Sequence, residues 1–422
     1  MNVLLLGSGG REHALAWKLS KSSKIVKLYV GPGNAGTKEI AENVAINPMN
    51  FREVGLFCLE NNVNILVVGP EAPLVEGISD YFSNNPDLKN IIVIGPGKKG
   101  ALLEGSKDFA KGFMSVYGIP TAGYFTACKA TIDKAIEFVE KQTPPYVLKA
   151  DGLAAGKGVL IIDNKDEAIL SLKEMLNGKF GEASARVVIE EFLSGIELSV
   201  FVLTNGNEYV IFPEAKDYKR IGEQDTGLNT GGMGAISPVS FADKEFMDKV
   251  ENKIILPTIN GLNKEGIPYL GFIFFGLIKV GNEPYVIEYN VRMGDPETEV
   301  VIPRLKNDLL DLFIAAKENK LSEIDIKFED DFAATVMLVS GGYPGNYEKG
   351  KEITGLENNK DGKIFHAGTK IHNGKVVTEG GRVIAVTCLG KTKDIAVSKS
   401  LEIAEKVSFE KKYFRKDIGF DL

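Results

Sequence analysis

The first hundred residues constrain this chain most, because short apolar runs recur there and each ends in a glycine turn. Val3–Leu6 runs into Gly7-Ser8-Gly9-Gly10, Ile25–Val30 into Gly31-Pro32-Gly33, Ile65–Val68 into Gly69-Pro70, and Ile91–Ile94 into Gly95-Pro96-Gly97. Apolar runs without polar alternation are the mark of strands buried on both faces, as in a parallel sheet covered by helices. Amphipathic stretches such as Glu12–Ser20 lie between them. The pattern predicts a doubly wound α/β domain over residues 1–101, with its ligand crevice at the carboxyl ends of the strands.

Beyond it, a helix is predicted over Lys107–Tyr117, ahead of Gly118-Ile119-Pro120. Residues 121–190 read as a small α+β unit. It comprises a strand at Tyr146–Ala150, a glycine-rich loop at Asp151–Gly158, a strand at Val159–Asp163, a helix near 166–176 and a strand at Arg186–Glu190. Strands follow at Tyr209–Pro213, Gly271–Val280 and Tyr285–Asn290, then a helix near 307–319 and an acidic linker over 323–331. The remainder shows short strands, glycine turns and a helix near 392–406. The expected units are therefore 1–101, 102–328 with a lid at about 121–190, and a mostly β unit at 329–422.

Charge excludes several classes of partner. With 50 basic against 57 acidic residues, no basic surface for nucleic acid is implied, and no polybasic run suits a membrane. Three cysteines far apart, without CxxC, make neither a zinc frame nor a secreted disulfide lattice. The most apolar stretch, Tyr269–Ile278, stops at Lys279 and is too short to span a bilayer. A cytoplasmic location is expected. Glycine stands out, at 46 of 422 residues, about 11% against a usual level of about 7%. Scattered without period, these glycines point to backbone approaching a ligand in several loops.

Four stretches could carry chemistry. Gly7-Ser8-Gly9-Gly10-Arg11-Glu12 follows a strand and opens a helix. A dinucleotide fingerprint would need glycine or alanine at Glu12 and an acid ending the second strand, and both are missing. The amides of Gly9 and Gly10 could still take an anion, or the segment is simply a tight turn; His13 reads as a packed or capping residue. Lys149 to Val159 resembles a Walker loop, one residue short and with Gly158 where Ser or Thr would hold magnesium. Set between two strands, it reads as a mobile hairpin tip whose amides, at Gly152, Gly156 and Gly158, fold over phosphates beside the cation of Lys149. In Tyr285–Glu297, strand period two puts Glu288, Asn290 and Arg292 on one face, continued by Val286, with Ile287 and Tyr289 opposite. A carboxylate beside an amide oxygen suits Mg²⁺, and an arginine there can face the same phosphates. Last, Asp217-Tyr218-Lys219-Arg220 and Asp225–Gly234 form a long polar connection suited to a polar ligand.

Together these stretches resemble the phosphoribosylamine–glycine ligase (glycinamide ribonucleotide synthetase) family of the ATP-grasp superfamily. The resemblance runs nearly end to end, through Gly7–Ala14, Gly31–Thr37, Gly69–Leu74, Glu104–Lys107, Lys149–Gly158, Asn229–Gly234, Asn290–Glu297, Gly342–Gly345 and His366–Thr369. It implies an ATP-grasp fold and ATP-dependent ligation of glycine to 5-phosphoribosylamine in de novo purine biosynthesis. The products would be N1-(5-phosphoribosyl)glycinamide, ADP and phosphate, formed through glycyl phosphate with Mg²⁺ or Mn²⁺. Carried over residue by residue, Lys107 and Lys149 would contact the nucleotide phosphates, and Glu190, Phe192 and Leu193 would belong to the adenine-binding hinge. Glu197 would touch the ribose, and Glu288 and Asn290 would hold the metal with Arg292 beside them. Asp295 and Glu71 would face the phosphoribosylamine, Arg382 its 5′-phosphate, and Asp217, Lys219 and Arg220 would border the substrate. Lys149, Arg292 and Asp295 would form the catalytic group. Lys216, Tyr218 and Glu299 stand where glutamine, histidine and glutamine are usual, and the strand Gly271–Lys279 lacks a further metal-ligating acid. A monomer or weak homodimer is implied. The alternatives are another purine-pathway ATP-grasp ligase or carboxylase and, outside that class, a nicotinamide oxidoreductase or a non-catalytic nucleotide-binding protein.

Overall fold

The computed structural model of the chain describes residues 1–154, 158–357 and 361–422. The apolar runs near the N-terminus form a five-stranded parallel sheet in the order Glu42–Asn43, Lys27–Pro32, Asn2–Gly7, Ile65–Val68, Ile92–Ile94. The first strand sits centrally, with Val3 to Leu6 wholly buried. Strand order reverses on either side of it, so the crevice opens above Gly7. The second strand begins at Lys27, two residues after the apolar run starts, and the first helix is Gly10–Leu19.

Residues 124–190 make a separate four-stranded antiparallel sheet in the order Tyr124–Cys128, Arg186–Glu190, Tyr146–Ala150, Val159–Ile162. Helices Ile132–Lys141 and Lys165–Leu176 accompany it, and Val139, Leu148, Leu172 and Ile189 meet in its own core.

The rest is organised by one eight-stranded antiparallel sheet. Its order is Glu283–Asn290, Gly271–Val280, Ile196–Thr204, Tyr209–Asp217, Gly234–Ser237, Phe332–Val339, Arg382–Gly390, Gly362–His366. Ile196–Thr204, absent from the sequence-based assignment, is the strand that joins Gly271–Val280 to Tyr209–Asp217. Phe332–Val339, just past the expected boundary near 328, pairs directly with Gly234–Ser237, so this sheet runs through into the C-terminal part.

One of these sequence readings needs correction. The polar connection after Asp217 is not open loop: Arg220–Gly222 and Thr226–Asn229 pair as a small antiparallel hairpin. Its base is strapped by the C-terminal segment, where the wholly buried Arg415 bonds Asp225 (2.6 Å) and the carbonyl of Arg220 (3.1 Å). His13, expected to be packed or capping, is buried; its Nδ1 accepts the backbone N–H of His366 at 2.8 Å, tying the first helix to the last-placed strand. Among the described residues no helix is long and apolar enough to cross a membrane.

Candidate active site

A cavity of about 430 Å³ opens where the three sheets meet. Its floor is the edge strand Glu283–Asn290. Here the two-residue period fails, because a β-bulge slips the register: Val286 pairs with Leu277 but Glu288 with Gly276, leaving Ile287 over. Val286 and Tyr289 therefore pack in the core, and Ile287 joins Glu288 and Asn290 along the cavity. Val286 does not continue the polar face, and Arg292 reaches the cavity from the bend beyond the strand end.

One end of the cavity is rich in cations. Lys107 opens the helix Lys107–Val116, whose N-cap Ser106 accepts from Phe109 N, and it lines the cavity with Lys111 one turn on. Burial depresses Lys107, although Glu288 pulls the other way. It pushes Lys111 down to about 8, against the attraction of Glu190. Lys149 lies just beneath, 5% exposed, and shares Glu190 Oε2 with Lys111 at 3.0 and 3.2 Å. Lys107, Lys111 and Lys149 set against Glu190 and Glu288 leave a surplus of positive charge, which a polyphosphate would neutralise.

The opposite end is built from arginines and carboxylates. Arg292 donates to Glu104 Oε1 (2.8 Å), Asn290 Oδ1 (3.1 Å) and the carbonyl of Met293 (3.2 Å), and its Nε is 3.5 Å from Glu71. Burial opposes the Glu71 charge, but Arg292 and Arg11 outweigh it and hold the carboxyl below its usual range. Burial likewise opposes the charge of Arg11, and Glu12, Asp295 and Glu71 more than restore it. Arg382 Nη2 is 2.9 Å from Asp295 Oδ1, and its Nη1 donates to the carbonyls of Asp295 (2.9 Å) and Gly231 (2.5 Å).

Between the two ends stand Asp217, Lys219 and Glu297. Burial and the proximity of Asp217 push Glu297 up to about 7; its Oε1 accepts from Ser199 Oγ at 3.2 Å. Burial also raises Asp217, whereas Asp217, Glu197 and Glu288 outweigh the desolvation of Lys219 and raise it.

The structure thus brings Lys107, Gly158, Glu190, Glu71, Asp217, Lys219, Glu288, Asn290, Arg292, Asp295 and Arg382 to one cavity. Lys149 and Glu197 sit one contact behind it, through Glu190 and Lys219 respectively. Phe192 and Leu193 lie on the segment leaving Arg186–Glu190, and Arg220 turns away to the carbonyl of Gly227 (2.9 Å). Gly152 bonds Ala183 O through its amide (3.0 Å), and Gly156 lies outside the described residues. Gly9 and Gly10 behave differently from expectation: the Gly9 amide donates to Glu12 Oε2 at 2.7 Å, so the protein's own carboxylate fills the place read as an anion site. A Cβ on Gly7 or Gly69 would overlap Glu12, so these two glycines make room for that side chain rather than for a ligand. Four charged residues lining the cavity carried no assigned role in the sequence reading: Arg11, Glu104, Lys111 and Glu297. Arg11, Glu104 and Glu297 lay inside motifs that were noticed; Lys111, one turn after Lys107 on the same helix, could have been found from that spacing.

Three family models together match most of the chain. The phosphoribosylglycinamide synthetase N domain matches residues 1–104, its ATP-grasp (A) domain 105–298, and its C domain 333–421. The chain belongs to the phosphoribosylglycinamide synthetase family. Within the family, the phosphoribosylamine–glycine ligase of Pasteurella multocida is 44% identical over 425 residues, covering 100% of this chain and 98% of that one. The crystal structure of phosphoribosylamine–glycine ligase from Thermotoga maritima superposes with a TM-score of 0.84 at 40% identity, covering 99% of this chain and 100% of that one. A biotin carboxylase from Campylobacter jejuni shares the fold alone, at 14% identity and a TM-score of 0.74, over 99% of this chain and 93% of that one.

Proposed function

We propose that this chain ligates glycine to 5-phosphoribosylamine with ATP, giving N1-(5-phosphoribosyl)glycinamide, ADP and phosphate, in cytoplasmic de novo purine biosynthesis. The carrying observation is a single cavity with lysines at one end, arginine–carboxylate pairs at the other and hard oxygens between. Among the described residues lining it there is no serine, threonine or cysteine to act as a nucleophile. A free carboxylate is a poor electrophile, so glycine must first be activated. Its carboxylate attacks the γ-phosphorus of ATP and the bond to ADP breaks, giving glycyl phosphate. The amine of phosphoribosylamine then attacks the acyl carbon, phosphate departs with the C–O electron pair, and the amine nitrogen loses a proton.

Phosphoryl transfer asks the protein mainly for positioning and for neutralising charge. Lys107 faces the nucleotide phosphates, and Lys149 adds its charge from behind through Glu190, the counter-ion it shares with Lys111. Glu288 and Asn290 offer one charged and one neutral oxygen beside Lys107, a donor set that fits Mg²⁺ or Mn²⁺. When bound, that ion would supply charge neutralisation at the transferring phosphoryl group. Glu71, Asp295 and Arg382 face the phosphoribosylamine; Glu190, Phe192, Leu193 and Glu197 face the nucleoside. The division of labour follows units 1–101, 102–328 and 329–422, in a monomer or weak homodimer. The test is ADP release with glycine and with phosphoribosylamine generated in situ, each omitted in turn. Full release is expected only with both, and release that needs bicarbonate instead of glycine would assign the chain to another ligase or carboxylase reaction.

A further inference from the structure

A carboxyl group buried away from water is costly unless it is hydrogen-bonded, paired or neutral. Glu299, on the short helix Thr298–Val301, is wholly buried. Among the described residues neither of its oxygens has a hydrogen-bond partner. Its neighbour Asp295 has a buried Oδ1 that is 2.9 Å from Arg382 Nη2 but out of line for a hydrogen bond.

The groups around Glu299 come from every side. Across from it is the glycine turn, where a Cβ on Gly10 would overlap Glu299 Oε1. Arg11, next to Gly10, is taken by Glu12 at 2.6 Å, so it offers Glu299 no dedicated partner. From the strand Arg382–Gly390 comes Arg382; from its own segment come Asp295 and Glu297. Asp217 ends the strand Tyr209–Asp217 packed nearby. Two carboxyl groups, Asp295 and Glu299, thus share the single guanidinium of Arg382, and Glu297 adds to the acidic excess. Like charges in so dry a place cannot all ionise.

We propose that Glu299 is kept as a neutral carboxylic acid, so that it leaves the Arg382 guanidinium to Asp295 where phosphoribosylamine binds. Glu299 is then a positioning residue: ionised, it would compete for Arg382 and repel Asp295, displacing both from the substrate. Burial, reinforced by Asp295, drives its pKa well above the carboxylate range, in the same direction. The assignment of Asp295 to the phosphoribosylamine side rests on the proposed function; the protonation of Glu299 does not.

Two readouts on the full chain separate these layers. Infrared difference spectra between the wild type and Glu299→Gln at neutral pH should show a protonated carboxylic-acid carbonyl band in the wild type that shifts in D₂O. The second readout is kcat/KM for phosphoribosylamine from about pH 7 to about pH 9.5, taken as the ratio of wild type to Glu299→Gln so that the amine's own ionisation cancels. The ratio should lie within about twofold of one at neutral pH, with any fall confined to the alkaline side, while the KM for ATP stays the same in both. Glu299→Ala, lacking both the volume and the polar group, should be impaired at every pH, and the glutamine should not. A wild-type spectrum with carboxylate bands only, or a ratio well below one already at neutral pH, would overturn the proposal. A protonated band with the pH effect moved to the KM for ATP would uphold the proton and overturn the placement of Asp295.

Discussion

Glu104→Gln tests how the arginine end of the cavity is held. Glu104 is 8% exposed, and its two oxygens each accept one hydrogen bond, from Nη2 of Arg292 and from the backbone N–H of Val291, both at 2.8 Å. Glutamine has the same size but offers one oxygen and one NH₂. Two donors face it, so one must meet the NH₂ and be left unsatisfied, at about 1–3 kcal/mol. If the arginine loses its acceptor the upper end applies, although its side chain is 18% exposed and water from the cavity recovers part of that. About 2 kcal/mol of stability should be lost. Arg292 keeps Asn290 and Met293 as acceptors, so it is displaced rather than freed, and a displacement of about 1 Å can lower kcat by about 100-fold. Acidification should imitate the substitution, because burial raises the Glu104 carboxyl against the pull of Arg292 and brings protonation nearer to neutral pH. Steady-state ADP release and the urea midpoint measure the two effects. A glutamine variant with kcat within about twofold of wild type and an unshifted midpoint would refute the reasoning.

Glu288→Ala should lower kcat by at least about 100-fold in folded protein, since it removes the charged ligand of the proposed metal pair; near-normal turnover at limiting Mg²⁺ or Mn²⁺ would count against that pair. Arg382→Ala should raise the KM for phosphoribosylamine at least about tenfold, about 1.4 kcal/mol, and leave the KM for ATP alone. Arg382→Lys should not restore it, because one ammonium cannot reach the carbonyls of Gly231 and Asp295 and still face the substrate; equal damage to both substrates would make Arg382 structural. Stability should also fall in mild acid. Burial holds His13 at about 3, with a contribution from His366, and holds His366 at about 4. The unfolded chain therefore takes up protons below about pH 6.5 that the native state refuses, and stability present above that pH is lost as pH falls. The loss is about 2 kcal/mol per histidine at pH 5. His366→Gln should flatten the fall in the unfolding midpoint between pH 7 and pH 5, and an unchanged pH dependence would show that these rings are not responsible.

The N-terminal sheet was legible because strands buried on both faces leave unbroken apolar runs, and Gly271–Val280 was placed to the residue for the same reason. What escaped were features that arise from pairing across long separations. Glu104 means nothing until Arg292, 188 residues later, lands on it. The bulge at Ile287 leaves no mark in composition, so the two-residue period put Ile287 and Val286 on the wrong faces. Glycine was over-read in one respect: Gly7 and Gly69 accommodate Glu12, a neighbour from the chain itself. The hairpin after Asp217 was missed because its paired residues, Arg220 to Asn229, are polar and glycine-rich and carry no apolar alternation.

The order of the eight-stranded sheet makes its curvature a catalytic variable. Glu283–Asn290 and Arg382–Gly390 stand six strand spacings apart, about 29 Å if the sheet were flat. Yet Asp295, five residues past Asn290, has its carbonyl 2.9 Å from Arg382. Five residues reach at most about 17 Å; even with the length of the Arg382 side chain added, that would cross a flat sheet only if the segment ran straight, and it bends at Val291 and Arg292. The sheet must therefore coil into a trough, as twisted sheets do, with the cavity in its hollow. Flattening the trough would draw the metal-side oxygens away from the arginine that meets Asp295 without altering any residue between them. Substitutions on the convex side that relax the coil should slow turnover from a distance, in a protein whose cavity lining is unchanged.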